Sequence, residues 1–256
     1  MLLAIDIGNT NIVLGGFKGT ELLFEFRLQS DAGRTLDEYR AAIVALLKLQ
    51  FGEAFHISSA IISSVVPQLT GTLVDVVKKT FSIDPLIVGA GTKTGIAIRL
   101  ADPLSVGADR IVNSVAAKTF YGKKSIVVDF GTATTFDYIN DQGDYEGGVI
   151  APGLHTSIES LVSRTAKLPR IELSWPKTII GKSTVAAMQS GALVGYVCLV
   201  DGMLAQIEKE VGKLQHVIAT GGLGEVIKAH SNRIDVYDST LTLKGMQCIA
   251  QMNGIG

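Results

Sequence analysis

The sequence carries an internal echo. DIGNTN at residues 6–11 is answered by DFGTAT at residues 129–134, about half a chain later. Each motif follows a short apolar run, residues 2–5 in the first case and 125–128 in the second, bounded by polar residues as buried strands are. After each motif the chain stays β-like, over residues 11–17 and 22–28 in the first half and 135–139 and 145–150 in the second. Both halves therefore open with three strands, and a chain built this way folds as two copies of one α/β unit.

The rest of each half keeps the same order. Thr35 and Glu38 form a capping box, and Leu36, Tyr39, Ile43, Leu46 and Leu47 recur behind it at helical spacing. A strand at residues 60–65, a helix opened by Pro67, a strand at 86–88 and a helix from Asp109 complete the pattern βββαβαβα. The second half repeats it more loosely. It has a helix near residues 154–162, a long helix from Ser183, strands at 217–219 and 234–237, a helix at 223–230 between them, and a terminal helix. The expected division is residues 1–115 and 116–256. Residues 163–181, with Pro169, Trp175 and Pro176 and no clear period, are expected as a surface loop.

Composition narrows the class of ligand. Apolar residues make up 47% and charged residues 18%, which excludes a disordered chain. The 23 basic and 24 acidic residues are interspersed, so no electrostatic footprint for nucleic acid or a membrane surface is present. A small neutral or anionic ligand fits better. Cys198 and Cys248 lie in apolar stretches without paired spacing, which suggests neither a disulfide framework nor a thiolate zinc site. Asp6 interrupts the first apolar run and no basic region precedes it, so the N-terminus reads as a strand and not a signal peptide. No run approaches the roughly 18 consecutive apolar residues of a membrane span. A cytoplasmic location is expected.

A strand that ends in Asp, then any residue, then Gly and short polar residues, suits a phosphate tail. Glycine lets backbone approach an oxyanion, and Asn9, Thr10, Asn11, Thr132 and Thr134 supply short hydrogen-bonding groups. Asp6 is suited to hold magnesium, whose charge offsets that on the β and γ phosphates. One such motif is an ordinary tight turn more often than not; two in matching places are not. A third element, ATGGLG at residues 219–224, lies between a strand and a helix, where glycines let a nucleoside lie against backbone. GKS at 181–183 lacks the earlier glycine and leading strand of a P-loop, and the glycines of 89–95 miss the dinucleotide fingerprint.

Duplicated phosphate motifs with a Gly-Gly nucleoside motif resemble the acetate and sugar kinase, heat-shock ATPase and actin superfamily over essentially the whole chain. Five motifs, DIGNTN, GADR at 107–110, DFGTATT, GGVIAPG at 147–153 and GKSTVAAMQSG at 181–191, together resemble in order and spacing type III pantothenate kinases. That resemblance implies two actin-like (ribonuclease H-like) domains with a nucleotide cleft between them. It also implies ATP-dependent phosphorylation of pantothenate to 4′-phosphopantothenate, the first step of coenzyme A synthesis, by a homodimer.

The resemblance assigns roles residue by residue. Asp6, Ile7, Gly8, Asn9, Thr10, Asn11, Ile12 and Val13 form the first ATP turn, with Mg2+ at Asp6. Gly107, Ala108, Asp109 and Arg110 bind substrate. Asp109 is the base that takes the hydroxyl proton, and Arg110 pairs with the pantothenate carboxylate. Asp129 holds a monovalent cation, K+ or NH4+, and Thr132 contacts ATP. Thr184 reaches substrate from the second subunit. Other roles are open to three of these residues: Asp109 as a helix cap, Arg110 as a surface ion pair and Thr184 as a cap beside Ser183. Leu100 stands where the family often has Tyr, which keeps apolar contact and drops a hydroxyl. His56, His155, His216 and His230 have no ligand spacing and are expected in structural or surface roles. Two other functions compete: a kinase for another small acid or sugar, and a nucleotide-binding regulatory accessory protein of the same fold.

Overall fold

The computed structural model describes residues 1–255, which form two compact units. One contains Met1–Thr119 together with the segment from Thr240 onward, and the other contains Phe120–Ser239.

In the first unit, β1 (Leu2–Ile7), β2 (Asn11–Lys18), β3 (Glu21–Gln29), β4 (Ser59–Ser64) and β5 (Leu86–Ile87) make a five-stranded sheet of order β3-β2-β1-β4-β5. The first three strands run antiparallel in sequence, and β4 pairs parallel to β1 with Asp6 opposite Ser63. Helices α1 (Leu36–Phe51) and α2 (Pro67–Phe81) cover one face, where Ile5, Ile7, Ile12, Tyr39, Leu47, Leu73 and Val77 are buried together. The Thr35 capping box forms as its spacing predicts, with both reciprocal bonds present. Such a cap contributes about 1 kcal/mol. Pro67 opens α2 at its first turn.

The opposite face is covered by α3 (Ala108–Phe120) and α8 (Leu241–Met252). The sequence order counts α8 with the 116–256 half, whereas its contacts place it in the first unit. Leu243, Met246, Ile249 and Ala250 pack with Leu2, Ala4, Phe17, Ile61 and Val112. A Cβ on Gly245 would lie 2.1 Å from the Val112 carbonyl oxygen, so the two helix backbones touch there. Thr242 Oγ1 also donates to Asn113 Oδ1 at 2.8 Å. A helix with a broad apolar face goes where a sheet face lies uncovered, whatever its place in the chain.

The second unit repeats the plan with β6 (Ser125–Phe130), β7 (Ala133–Ile139), β8 (Tyr145–Pro152), β9 (His216–Gly221) and β10 (Val236–Tyr237), in the order β10-β9-β6-β7-β8. Again the first three strands are antiparallel and β9 is parallel to β6. Helices α4 (Leu154–Ser163), α5 (Thr184–Gln189), α6 (Gly195–Val211) and α7 (Gly224–Lys228) belong to this unit, with a π-helical turn over Ser190–Val194 joining α5 to α6. Their core gathers Ile126, Val128, Phe136, Leu193, Val200 and Leu204.

The stretch Thr184–Val211 is long and apolar enough, by length and composition, to cross a membrane. Its inner side carries Leu193, Tyr196, Val197, Val200 and Leu204 into the core, as a core helix does. Asp201 on the same helix accepts hydrogen bonds from Ser231 Oγ and the Asn232 N–H.

Candidate active site

The first Asp-x-Gly motif is the turn from β1 to β2. Ile7 pairs with Ile12 across it, and the Gly8 N–H donates to Asn11 O at 3.0 Å. Ile7 and Ile12 point into the core, while Asn9, Thr10 and Asn11 are exposed at the tip and Asp6 and Val13 are half-buried. Two turn carbonyls are held by Ser30, whose Oγ donates to Gly8 O at 2.6 Å and whose N–H donates to Thr10 O at 2.9 Å. Ser30 fixes the turn from the end of β3, a role that no local motif announces.

GADR stands beside this turn in the same unit. The Val65 N–H donates to Ile7 O at 3.1 Å, and a Cβ on Gly107 would lie 3.3 Å from Val65 Cγ1. The same position would be 2.5 Å from Asp109 Oδ1, so the carboxylate lies directly over the Gly107 backbone and a side chain there would displace it. Asp109 is not the helix cap. The N–H groups of Arg110 and Ile111 both reach Gly107 O, which puts Asp109 inside the first turn of α3. Its Oδ1 accepts the Arg110 N–H at 2.8 Å. Desolvation raises the proton affinity of this carboxyl above the ordinary carboxylate range, against the lowering effect of the Arg110 N–H and guanidinium.

In the second unit the DFGTAT turn joins β6 to β7. Asp129 is half-buried at the end of β6 and opposite Thr220 of β9, while Gly131 and Thr132 are exposed. Gly221 has φ +84, and a Cβ there would come within 2.7 Å of Asp129 Oδ1, which requires glycine on both counts. Thr134, read from the sequence as a phosphate ligand, is only 1% exposed. Its hydroxyl meets that of Tyr196 instead, because every second residue of a strand must turn inward.

Thr184 is exposed at the start of α5, and Ser183 supplies the cap, its Oγ accepting the Ala186 N–H at 3.2 Å. Thr184 borders a groove of about 720 Å3 whose walls include Leu154, Ile158, Leu161, Met188 and Leu199. This groove is apolar and belongs wholly to the second unit, whereas Asp6 and Asp109 belong to the first. Ile150, Ile179, Ile180 and Val185 are exposed as well.

The residues present suit the two implied ions. Among the described residues no group of three His, Cys, Asp or Glu side chains gathers as a protein-only metal cage would need. A single carboxylate, Asp6, at a turn fits Mg2+ that takes its remaining oxygens from phosphates and water. Asp129, with Thr220 opposite it and Thr132 in the same turn, offers the oxygen donors that a hard cation takes.

Duplicated sheets with an Asp-x-Gly turn at the head of each define the class: the sugar-kinase and actin-like ATPase fold. The solved structures agree on that fold. A conserved putative Baf family transcriptional activator from Campylobacter jejuni superimposes with TM-score 0.63, 22% identity and 98% of both chains covered. A putative 2-dehydro-3-deoxygalactonokinase from Sinorhizobium meliloti gives 0.59, 13% and 99% of both chains. The sequence profile of type III pantothenate kinases matches residues 2–206. The type III pantothenate kinase of Syntrophus aciditrophicus is 49% identical over 253 residues, 99% of this chain and 100% of that protein. That of Moorella thermoacetica is 47% identical over the same shares. The chain belongs to the type III pantothenate kinase family.

Proposed function

We propose that this chain carries out its family's reaction, transfer of the γ-phosphoryl of ATP to the 4′-hydroxyl of pantothenate, with Asp109 as the proton acceptor. The observation that carries this reading is the setting of Asp109. Its carboxylate is fixed over Gly107, oriented by the Arg110 N–H, and raised in basicity by burial. As the hydroxyl oxygen forms its bond to the γ-phosphorus, the bond to the bridging oxygen breaks, ADP leaves, and the hydroxyl proton passes to Asp109.

Gly107 and Ala108 present backbone to the pantothenate, and Arg110 pairs with its carboxylate through a planar guanidinium. The exposed tip of the first turn, Asn9, Thr10 and Asn11, binds ATP phosphates with the Gly8 backbone, while Ile7, Ile12 and Val13 hold that backbone in place. Thr132 contacts ATP from the second turn. Asp6 holds Mg2+ and Asp129 holds K+ or NH4+. When bound, these ions neutralise phosphate charge.

The working form is a homodimer. The apolar groove and the exposed Ile150, Ile179, Ile180 and Val185 supply the kind of surface that a second copy buries, and Thr184 borders that surface. A soluble cytoplasmic enzyme without nucleic-acid or membrane partners fits the balanced charge and the core role of α6.

The test is incubation with ATP and a panel of acceptors, reading ADP release. Pantothenate alone should support turnover. Release with another small acid or a sugar would point to the competing kinase reading, and binding without release to a regulatory protein.

A further inference from the structure

Tyr196 stands out because its buried hydroxyl is hydrogen-bonded on two sides. The residue is 6% exposed on α6, directly after the π-helical turn Ser190–Val194. Turns of that kind change the direction of the side chains that follow and recur at functional sites. Its oxygen donates to Pro152 O at 3.2 Å and meets Thr134 Oγ1. A phenol has one proton and a carbonyl only accepts, so the Thr134 hydroxyl is the donor in the second contact. One buried oxygen thus ties β7 to the end of β8, one residue before Gly153, the cap of α4.

These are the elements that carry the second phosphate turn. Thr132 O accepts the Gly153 N–H at 3.1 Å and Thr156 Oγ1 at 2.8 Å, both from the head of α4. A Cβ on Gly153 would lie 2.4 Å from that same carbonyl, so the turn rests on the α4 backbone without slack. Thr134 lies two residues beyond Thr132 on the strand that leaves the turn. Tyr196 also forms part of the wall of the apolar groove next to Thr184.

We propose that Tyr196 is a positioning residue for phosphoryl transfer: from α6 its hydroxyl sets the Gly131–Thr134 turn through Thr134 and through Pro152, the residue before the Gly153 cap of α4. It touches no reactant itself. It acts by keeping the Thr132 side chain and the turn backbone where the nucleotide phosphates meet them. The inference rests on the reading that Thr132 contacts ATP, so its test includes that residue.

The experiment compares Tyr196→Phe, Thr134→Val, their double variant, Thr134→Ser and Thr132→Ala by steady-state kinetics, with melting temperatures taken alongside. Tyr196→Phe and Thr134→Val should each raise the KM for ATP about 3- to 10-fold and leave the KM for pantothenate unchanged, the scale of one buried hydrogen bond. The double variant should be no worse than Tyr196→Phe, which already removes the bond to Thr134. Thr134→Ser keeps the hydroxyl and should behave as the native enzyme. A lower melting temperature with both KM values unchanged makes Tyr196 an ordinary core residue and overturns the proposal. If Thr132→Ala raises the KM for ATP while Tyr196→Phe does not, the inference falls and the reading of the turn stands. If neither moves it, both fall. Should Tyr196→Phe fail to fold, the contrast between Thr134→Val and Thr134→Ser decides.

Discussion

Trp175 and His230 stack face to face, their ring centroids 3.4 Å apart and their planes 6° from parallel. This contact pins the long segment between α4 and α5 to the end of α7. Gln189 Nε2 reinforces it by donating to Glu172 O and Ser174 Oγ at 2.9 and 2.8 Å, and Ser190 Oγ donates to Ile179 O at 2.6 Å. Trp175 is the single tryptophan of the chain, so tryptophan emission reports on the surroundings of this residue alone. In His230→Ala the indole loses its cover, and the emission should shift to longer wavelength. An unchanged spectrum would contradict the stack in solution.

That segment shows where the sequence stops being readable. Residues 163–181 have no hydrophobic period, and they are held by one aromatic pair, by Leu173 packed on the core and by a few side-chain bonds, which leave no local pattern. The strands β1 and β6 are legible because a buried strand is a short apolar run bounded by polar residues, and α1 because Thr35 and Glu38 sit at capping distance. The placement of α8 is not legible: an apolar helix does not reveal which sheet face it covers. Within the site, the Asp-x-Gly turns are visible in the sequence, yet the inward turn of Thr134 and the grip of Ser30 on Gly8 and Thr10 are hidden. Both depend on contacts between residues far apart in sequence.

The cation reading of Asp129 predicts a salt response. Replacing sodium by potassium or ammonium should raise the native rate, and Asp129→Asn should lose that response. Equal rates in all three salts remove the cation from the account.

The shared-site reading of Thr184 predicts complementation. Asp109→Asn and Thr184→Arg should each be inactive alone. After subunit exchange about half of the dimers are mixed, each with one intact site, so activity should recover to about a quarter of native by two-fold symmetry. Exchange shown by mass spectrometry without recovered activity would mean that each chain works alone.

The raised proton affinity of Asp109 also predicts how stability varies with pH. Between the unfolded carboxylate value, near roughly 4, and the higher folded one, the native state binds more protons than the unfolded chain. The stability from this group is therefore full below the unfolded value and is lost as pH rises through the folded one. In Asp109→Asn the new amide cannot ionise, and its oxygen can still accept the Arg110 N–H. The melting temperature of Asp109→Asn should match the native one in acid and exceed it at neutral pH. A gap that closes on raising the pH would reverse the assigned cause.

The central claim, that Asp109 takes the hydroxyl proton, is tested most directly by kcat of Asp109→Asn at saturating ATP and pantothenate. With the fold and both KM values kept, kcat should fall by roughly 10² to 10⁴, the range for a positioned general base. Native turnover in that variant would contradict the account.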